Sequence, residues 1–143
     1  MTSVAATQHV EIIGRTLDTI ESGNRGELRR LIDDTVHQDC EWFPLLARVE
    51  GGGEGYRGPE GMATFFEDLV GSFEVRYENR EVSALGDVAV LLICEMNVLG
   101  RESGLAVSRE LGVIYEFEDG RMRRGRAYPS HAEALTAAME RDA

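Results

Sequence analysis

The residues best suited to chemistry lie between Val88 and Tyr128. Asp119-Gly120 separates two runs of alternating character there, and Asp-Gly in that setting predicts a two-residue type I′ turn with positive φ at both positions. Counting outward pairs Phe117 with Met122, Tyr115 with Arg124, Val113 with Arg126 and Leu111 with Tyr128. The opposite face pairs Glu118 with Arg121 and Glu116 with Arg123, opposite charges that are favourable cross-strand neighbours. In this register Arg124 and Arg126 share an apolar face with Tyr115, and Tyr128 and Asn97 are close by on the same side. An unpaired buried guanidinium is expensive, so these two must reach water, an acidic partner or an anionic ligand. A planar guanidinium suits a carboxylate or an enolised oxygen. Snorkelling of the long stems to solvent, or pairing with Glu95, is the plainer alternative.

The same register, carried through the turn at Gly100–Gly104, sets Glu95 opposite Arg109 on the face of Leu111 and Tyr115. That is one acid–base group beside one cation, and it is also what an ordinary cross-strand ion pair looks like. Trp42, on an earlier strand, adds an aromatic wall that can fill core and stack on a ligand. His9, His37 and His131 are scattered without metal-ligand spacing, so no metal site is expected. Cys40 and Cys94 sit beside apolar residues with no CxxC pattern, which predicts buried reduced thiols.

The elements that must position these groups can be read in order. Val10, Ile13, Leu17 and Ile20 make one stripe of a helix over Val4 to Ser22, and Gly23 fits a left-handed C-terminal cap. Asn24 with Glu27 starts a second helix whose apolar face is Leu28, Leu31 and Ile32. A strand runs from Val36 to Phe43 and stops at Pro44, which has no N–H for a ladder. The glycine-rich run from Glu50 to Gly55 reads as a flexible connection or pocket lid, since it lacks the Lys-Ser/Thr of a phosphate loop. Gly58-Pro59-Glu60 opens a third helix with Met62, Phe65, Phe66, Leu69 and Val70 on one face. Phe73, Val75 and Tyr77 alternate, but the apolar phase then moves to Val82 and Ala84, which implies a bulge near Glu78–Arg80. Leu85-Gly86-Asp87-Val88 suggests a second tight hairpin with glycine first. Ser130 with Glu133 marks a C-terminal helix. On the face away from Tyr115, Val90, Leu92, Cys94 and Met96 would lie opposite Ile114, Gly112, Glu110 and Ser108, an apolar patch that predicts a sheet-to-sheet homodimer.

At 143 residues with no internal linker, the chain is expected to form one domain over 1–143. A formal net charge of −11 argues against a nucleic-acid partner. No apolar stretch is long enough to span a membrane and no signal peptide is evident, so a cytoplasmic protein is expected.

Helices, a strand, a helix, an antiparallel meander and a terminal helix form an α+β order. With it, Asp39-Cys-Glu-Trp-Phe-Pro44, Tyr56-Arg-Gly-Pro-Glu-Gly61, Leu85-Gly-Asp-Val88, Tyr115-Glu-Phe-Glu-Asp-Gly-Arg-Met122 and Tyr128-Pro-Ser-His-Ala-Glu-Ala-Leu135 make the chain resemble SnoaL-like proteins of the nuclear transport factor 2-like superfamily. The resemblance implies a cone-shaped, curved antiparallel sheet wrapped around three N-terminal helices (a cystatin-like architecture) with a short C-terminal helix, a pocket inside and dimerisation through the outer sheet face. It also implies small-molecule binding with no cofactor, with ketosteroid isomerases, polyketide cyclases and epoxide hydrolases among the enzymes.

The isomerase pattern is absent. Its base, oxyanion tyrosine and neutral aspartic acid fall at Phe43, Thr16 and Val113. The carboxylate–arginine–carboxylate group of the epoxide hydrolases finds a counterpart in Glu95 and Arg109, with Asp39 or Glu41 as the second acid only if the first strand turns its odd face inward. The sequence therefore predicts a pocket for a polar or anionic organic ligand, lined by Trp42, Asn97, Tyr115, Arg124, Arg126 and Tyr128, with metal-independent lyase, isomerase or hydrolase chemistry as its catalytic form. The alternative is a non-catalytic binding or dimeric interaction module whose pocket is plugged.

Overall fold

The computed structural model describes residues 3–45 and 55–141. The elements are α1 (Val4–Ser22), α2 (Arg25–Thr35), β1 (Val36–Phe43), β2 (Tyr56–Arg57), α3 (Gly58–Ser72), β3 (Phe73–Leu85), β4 (Ala89–Gly100), β5 (Ala106–Glu118), β6 (Arg121–Tyr128) and α4 (His131–Arg141). Local chemistry accounts for most boundaries. Gly23 ends α1 at φ 70°, the left-handed conformation that glycine adopts without penalty. Asn24 Oδ1 accepts the Glu27 amide at 3.0 Å to start α2, and Ser130 Oγ accepts the Glu133 amide at 3.1 Å to start α4. The expected glycine-rich loop lies outside the described residues except for Gly55. No described helix is long and apolar enough to cross a membrane.

The strands form one curved sheet in the order β2-β1-β6-β5-β4-β3. Every pair is antiparallel except β1 with β6, which runs parallel and makes the sheet mixed. The inner face packs on α1, α2 and α3: Ile13, Leu17, Leu28, Met62 and Phe66 meet Val36, Cys40, Trp42, Val90, Leu92, Val113 and Met122. The predicted bulge in β3 falls between Glu78 and Glu81, with Asn79 at φ 53°. It turns Arg80 toward α1, where the guanidinium meets Asp18 at 2.7 Å and Glu21 at 3.0 Å. The α+β fold with three helices inside the sheet and a short helix after it is thus as expected.

Register is where structure and sequence part. The Asp119-Gly120 turn has both residues at positive φ and pairs Glu118 with Arg121 and Phe117 with Met122, as predicted. The ladder then slips, because Arg123 is an extra residue on β6, so Glu116 pairs with Arg124, Tyr115 with Gly125 and Ile114 with Arg126. A one-residue slip exchanges the two faces of a strand. Gly125 and Ala127 therefore point inward, while Arg124, Arg126 and Tyr128 point outward.

The β3–β4 hairpin behaves alike. Leu85 pairs with Ala89, so the loop holds three residues, not two. Val90, Leu92, Cys94 and Met96 consequently belong to the inner face, and the expected outer dimer patch is in the core. The outer face instead carries Leu91, Ile93 and Ile114, and Ala134 and Ala138 of α4 cover them. Gly112 permits that contact, because a Cβ there would fall within the Ala134 methyl.

Candidate functional site

Between α1, α3 and the inner sheet face lies a cavity of about 80 Å³. α1 contributes Leu17 and Ile20, α3 contributes Phe65, Phe66 and Leu69, and the sheet contributes Trp42, Tyr77, Met96, Leu111, Val113, Tyr115 and Ala127, with Pro44 and Leu45 at the end of β1. Trp42 is the centre of the wall. Its ring is parallel to that of Tyr115 at 6.3 Å, tilted on Phe66 at 5.5 Å and edge-on to Phe65 at 5.9 Å. The indole is 5% exposed, and its Nε1 has no hydrogen-bond partner among the described residues.

Two phenols share this space. Burial pushes the Tyr77 and Tyr115 hydroxyls well above the ordinary range, and the proximity of Tyr77 raises Tyr115 further. Both are therefore neutral donors at any physiological pH. Among the described residues the lining contains no carboxylate and no imidazole.

Of the residues singled out from sequence, Trp42 and Tyr115 line this cavity and the others do not. Glu95 pairs with Glu110, and Arg109 pairs with Met96, so Glu95 and Arg109 lie on opposite faces of the sheet and cannot act together. The Glu95 carboxylate accepts the Asn79 amide at 3.0 Å on the outer side. Asn97 pairs with Ser108, also outside, and their side chains hydrogen-bond. Arg124 and Arg126 both rest over the Phe43 ring, at 5.2 and 4.5 Å from its centre. Tyr128 packs with Leu91, Ile93 and Ile114 under α4. Sequence reasoning missed Tyr77, although its place in the alternation of Phe73, Val75 and Tyr77 marked it as inward.

The remaining reactive groups have structural roles. Cys40 and Cys94 are free and buried, and burial pushes both thiols up to about 12. His9 stacks on Phe117 with centroids 4.1 Å apart. His37, Glu118 and Asp119 bring three possible metal ligands together among the described residues. However, His37 Nδ1 accepts the Asp39 amide at 3.0 Å, which leaves the ring proton on Nε2, 3.0 Å from Glu118. That nitrogen is a donor to the carboxylate, and the group is a hydrogen-bonded cluster.

This arrangement, a curved sheet around helices with a cavity between them, is the SnoaL-like, nuclear transport factor 2-like fold. A Xanthomonas campestris protein named as a candidate polyketide cyclase superposes with TM-score 0.71 at 12% identity, over 94% of this chain and 98% of that one. An M. tuberculosis LEH-like epoxide hydrolase matches with TM-score 0.64 at 19% identity, over 93% of this chain and 86% of that one. An NTF2-like protein of Anabaena variabilis matches with TM-score 0.68 at 15% identity, over 90% and 92% respectively. No protein-family model matches the chain, and no curated protein matches its sequence.

Proposed function

We propose that this protein binds a small, largely apolar organic molecule in the inner cavity and holds one of its oxygen atoms with donors from the aromatic wall. The observation that carries the reading is Trp42 Nε1, a buried N–H at the wall of an apolar cavity with no acceptor among the described residues. Leaving such a donor unpaired costs about 1–3 kcal/mol, which an acceptor on a ligand recovers. The neutral phenols of Tyr77 and Tyr115 add donors of the same kind. With Arg124 and Arg126 outside, the described residues of the cavity wall include no cation to select an anion, which favours an uncharged ligand.

The wall also limits the chemistry. General acid–base catalysis works best with a group whose pKa lies near the working pH, and Tyr77 and Tyr115 are held protonated. They can donate to a developing oxyanion but cannot take up a proton. A binding role therefore fits better than proton transfer, and the similarity in fold to proteins named for cyclase and epoxide hydrolase activity does not supply a base. The aromatic packing of Phe65 and Phe66 against Trp42 restricts the occupant to a compact molecule, well below the roughly 300–1,000 Å³ of drug-sized sites.

Trp42 is the only tryptophan, so its fluorescence reports on the cavity alone. Titration with compact neutral ketones, lactones and epoxides should give saturable quenching or a spectral shift, and Tyr115→Phe should weaken it. A panel in which only charged compounds saturate, or none does, defeats this reading.

A further inference from the structure

The geometry points to a second site, on the outer face of the sheet, where Arg124 and Arg126 of β6 and Phe43 of β1 take the carboxylate or phosphate group of a small anion. The chain carries 26 acidic and 15 basic residues, so arginines left without a carboxylate are unexpected. Arg124 has two glutamates as its in-register neighbours, Glu41 on β1 and Glu116 on β5. Both are already engaged. The Glu41 carboxylate lies 3.9 Å from Arg57 and 3.8 Å from Arg123, and the Glu116 carboxylate lies 3.1 Å from Arg141.

Arg126 is flanked by Phe43 on one side and Ile114 on the other, neither of which can neutralise it. Among the described residues Arg124 and Arg126 have no ion pair or hydrogen bond, and each rests on the Phe43 ring. Both are half-buried. Two partly desolvated guanidiniums are thus held side by side, with their planar forks preorganised by one aromatic ring and with no ion-paired carboxylate among the described residues. A guanidinium fork matches the paired oxygens of a carboxylate or a phosphate, and burial strengthens that attraction over what water allows. Because the Arg123 bulge puts these residues on the face opposite Trp42, the site is separate from the inner cavity.

The test follows the arginine side chains directly. Nε–Hε signals of the whole protein are recorded while sodium phosphate or sodium acetate replaces chloride at constant ionic strength, alongside thermal melts. At least one anion should shift the Arg124 and Arg126 signals saturably and raise Tm; whichever saturates at lower concentration identifies the group. The double variant R124Q/R126Q should lose both effects, and the exposed-site control R30Q should keep them. R124K and R126K, which retain charge but not the fork, should weaken binding several-fold, and they keep the test valid if the glutamine variant misfolds. W42F should leave anion binding unchanged, which separates this result from that of the cavity. Shifts that grow linearly without saturation, or persist in R124Q/R126Q, overturn the proposal. So does an anion-driven rise in molecular mass to a dimer, which would assign the arginines to an interface between copies.

Discussion

The rings of Trp42 and Tyr115 are parallel, with centroids 6.3 Å apart and Gly125 between the two residues in the sheet. The three are direct neighbours across β1, β6 and β5. A Cβ on Gly125 would come 2.7 Å from Trp42 Cε3 and 3.5 Å from Tyr115 Cδ1. Gly125→Ala should therefore displace the indole and destabilise the protein by about 1–3 kcal/mol, the usual cost of overpacking. Urea denaturation followed by Trp42 fluorescence measures both effects, and an unchanged midpoint and spectrum would contradict the close packing.

Phe66 sets the size of the inner cavity. Its side chain is 6% exposed and tilts onto Trp42. Phe66→Ala should cost about 3–5 kcal/mol and enlarge the space, so that bulkier neutral compounds quench Trp42 fluorescence while compact ones bind less well. Loss of stability with no change in size preference would place the bound molecule elsewhere.

The buried thiols predict a specific alkaline weakness. In the folded protein Cys40 and Cys94 are raised from 9.0 to about 12 by burial. Below pH 9 both states carry the proton and the thiols cost nothing. Between about pH 9 and 12 the unfolded chain loses protons that the folded chain keeps, so stability falls as pH rises. Tyr77 and Tyr115, also raised by burial, extend the loss above pH 10. Denaturation midpoints measured from pH 7 to 11 should be flat at first and then decline, and thiol reagents at pH 8 should modify neither cysteine until the protein unfolds.

Gly112 is the seat of α4. Adding a methyl there would collide with Ala134, so Gly112→Ala should lift α4 from Leu91, Ile93 and Ile114 and expose them. Hydrogen exchange should accelerate in α4 while the inner core stays protected. Uniform protection in the variant would show that the helix adapts.

Local chemistry made most of the fold legible. Caps at Gly23, Asn24 and Ser130, Pro44 after β1 and the Asp119-Gly120 turn act within four residues of themselves, and each fixes its element without help from distant contacts. Sheet register does not work that way. An extra residue at 86–88 and another at Arg123 leave hydrophobic alternation intact on both sides, so the sequence reads the same whichever face is buried. β4 is apolar on both faces from Ala89 to Cys94, because α4 covers one face and α1 approaches the other. Periodicity could not choose between them. The inward face of Trp42 and Tyr115 is legible because the strands that bear them keep one phase up to these residues, whereas Glu95, Asn97, Arg124 and Arg126 all lie beyond a slip.

The Arg123 bulge has a meaning for how such proteins diversify. Were Arg123 paired with Glu116 in a simple ladder, Arg124 and Arg126 would face the cavity, and a cationic wall would replace the neutral aromatic one. Whether a strand bulges or pairs straight through can thus trade the chemistry of the interior for that of the surface, without a substitution at any of the residues that do the binding. Among distant members of this fold, ligand preference would then follow the placement of bulges as closely as it follows residue identity.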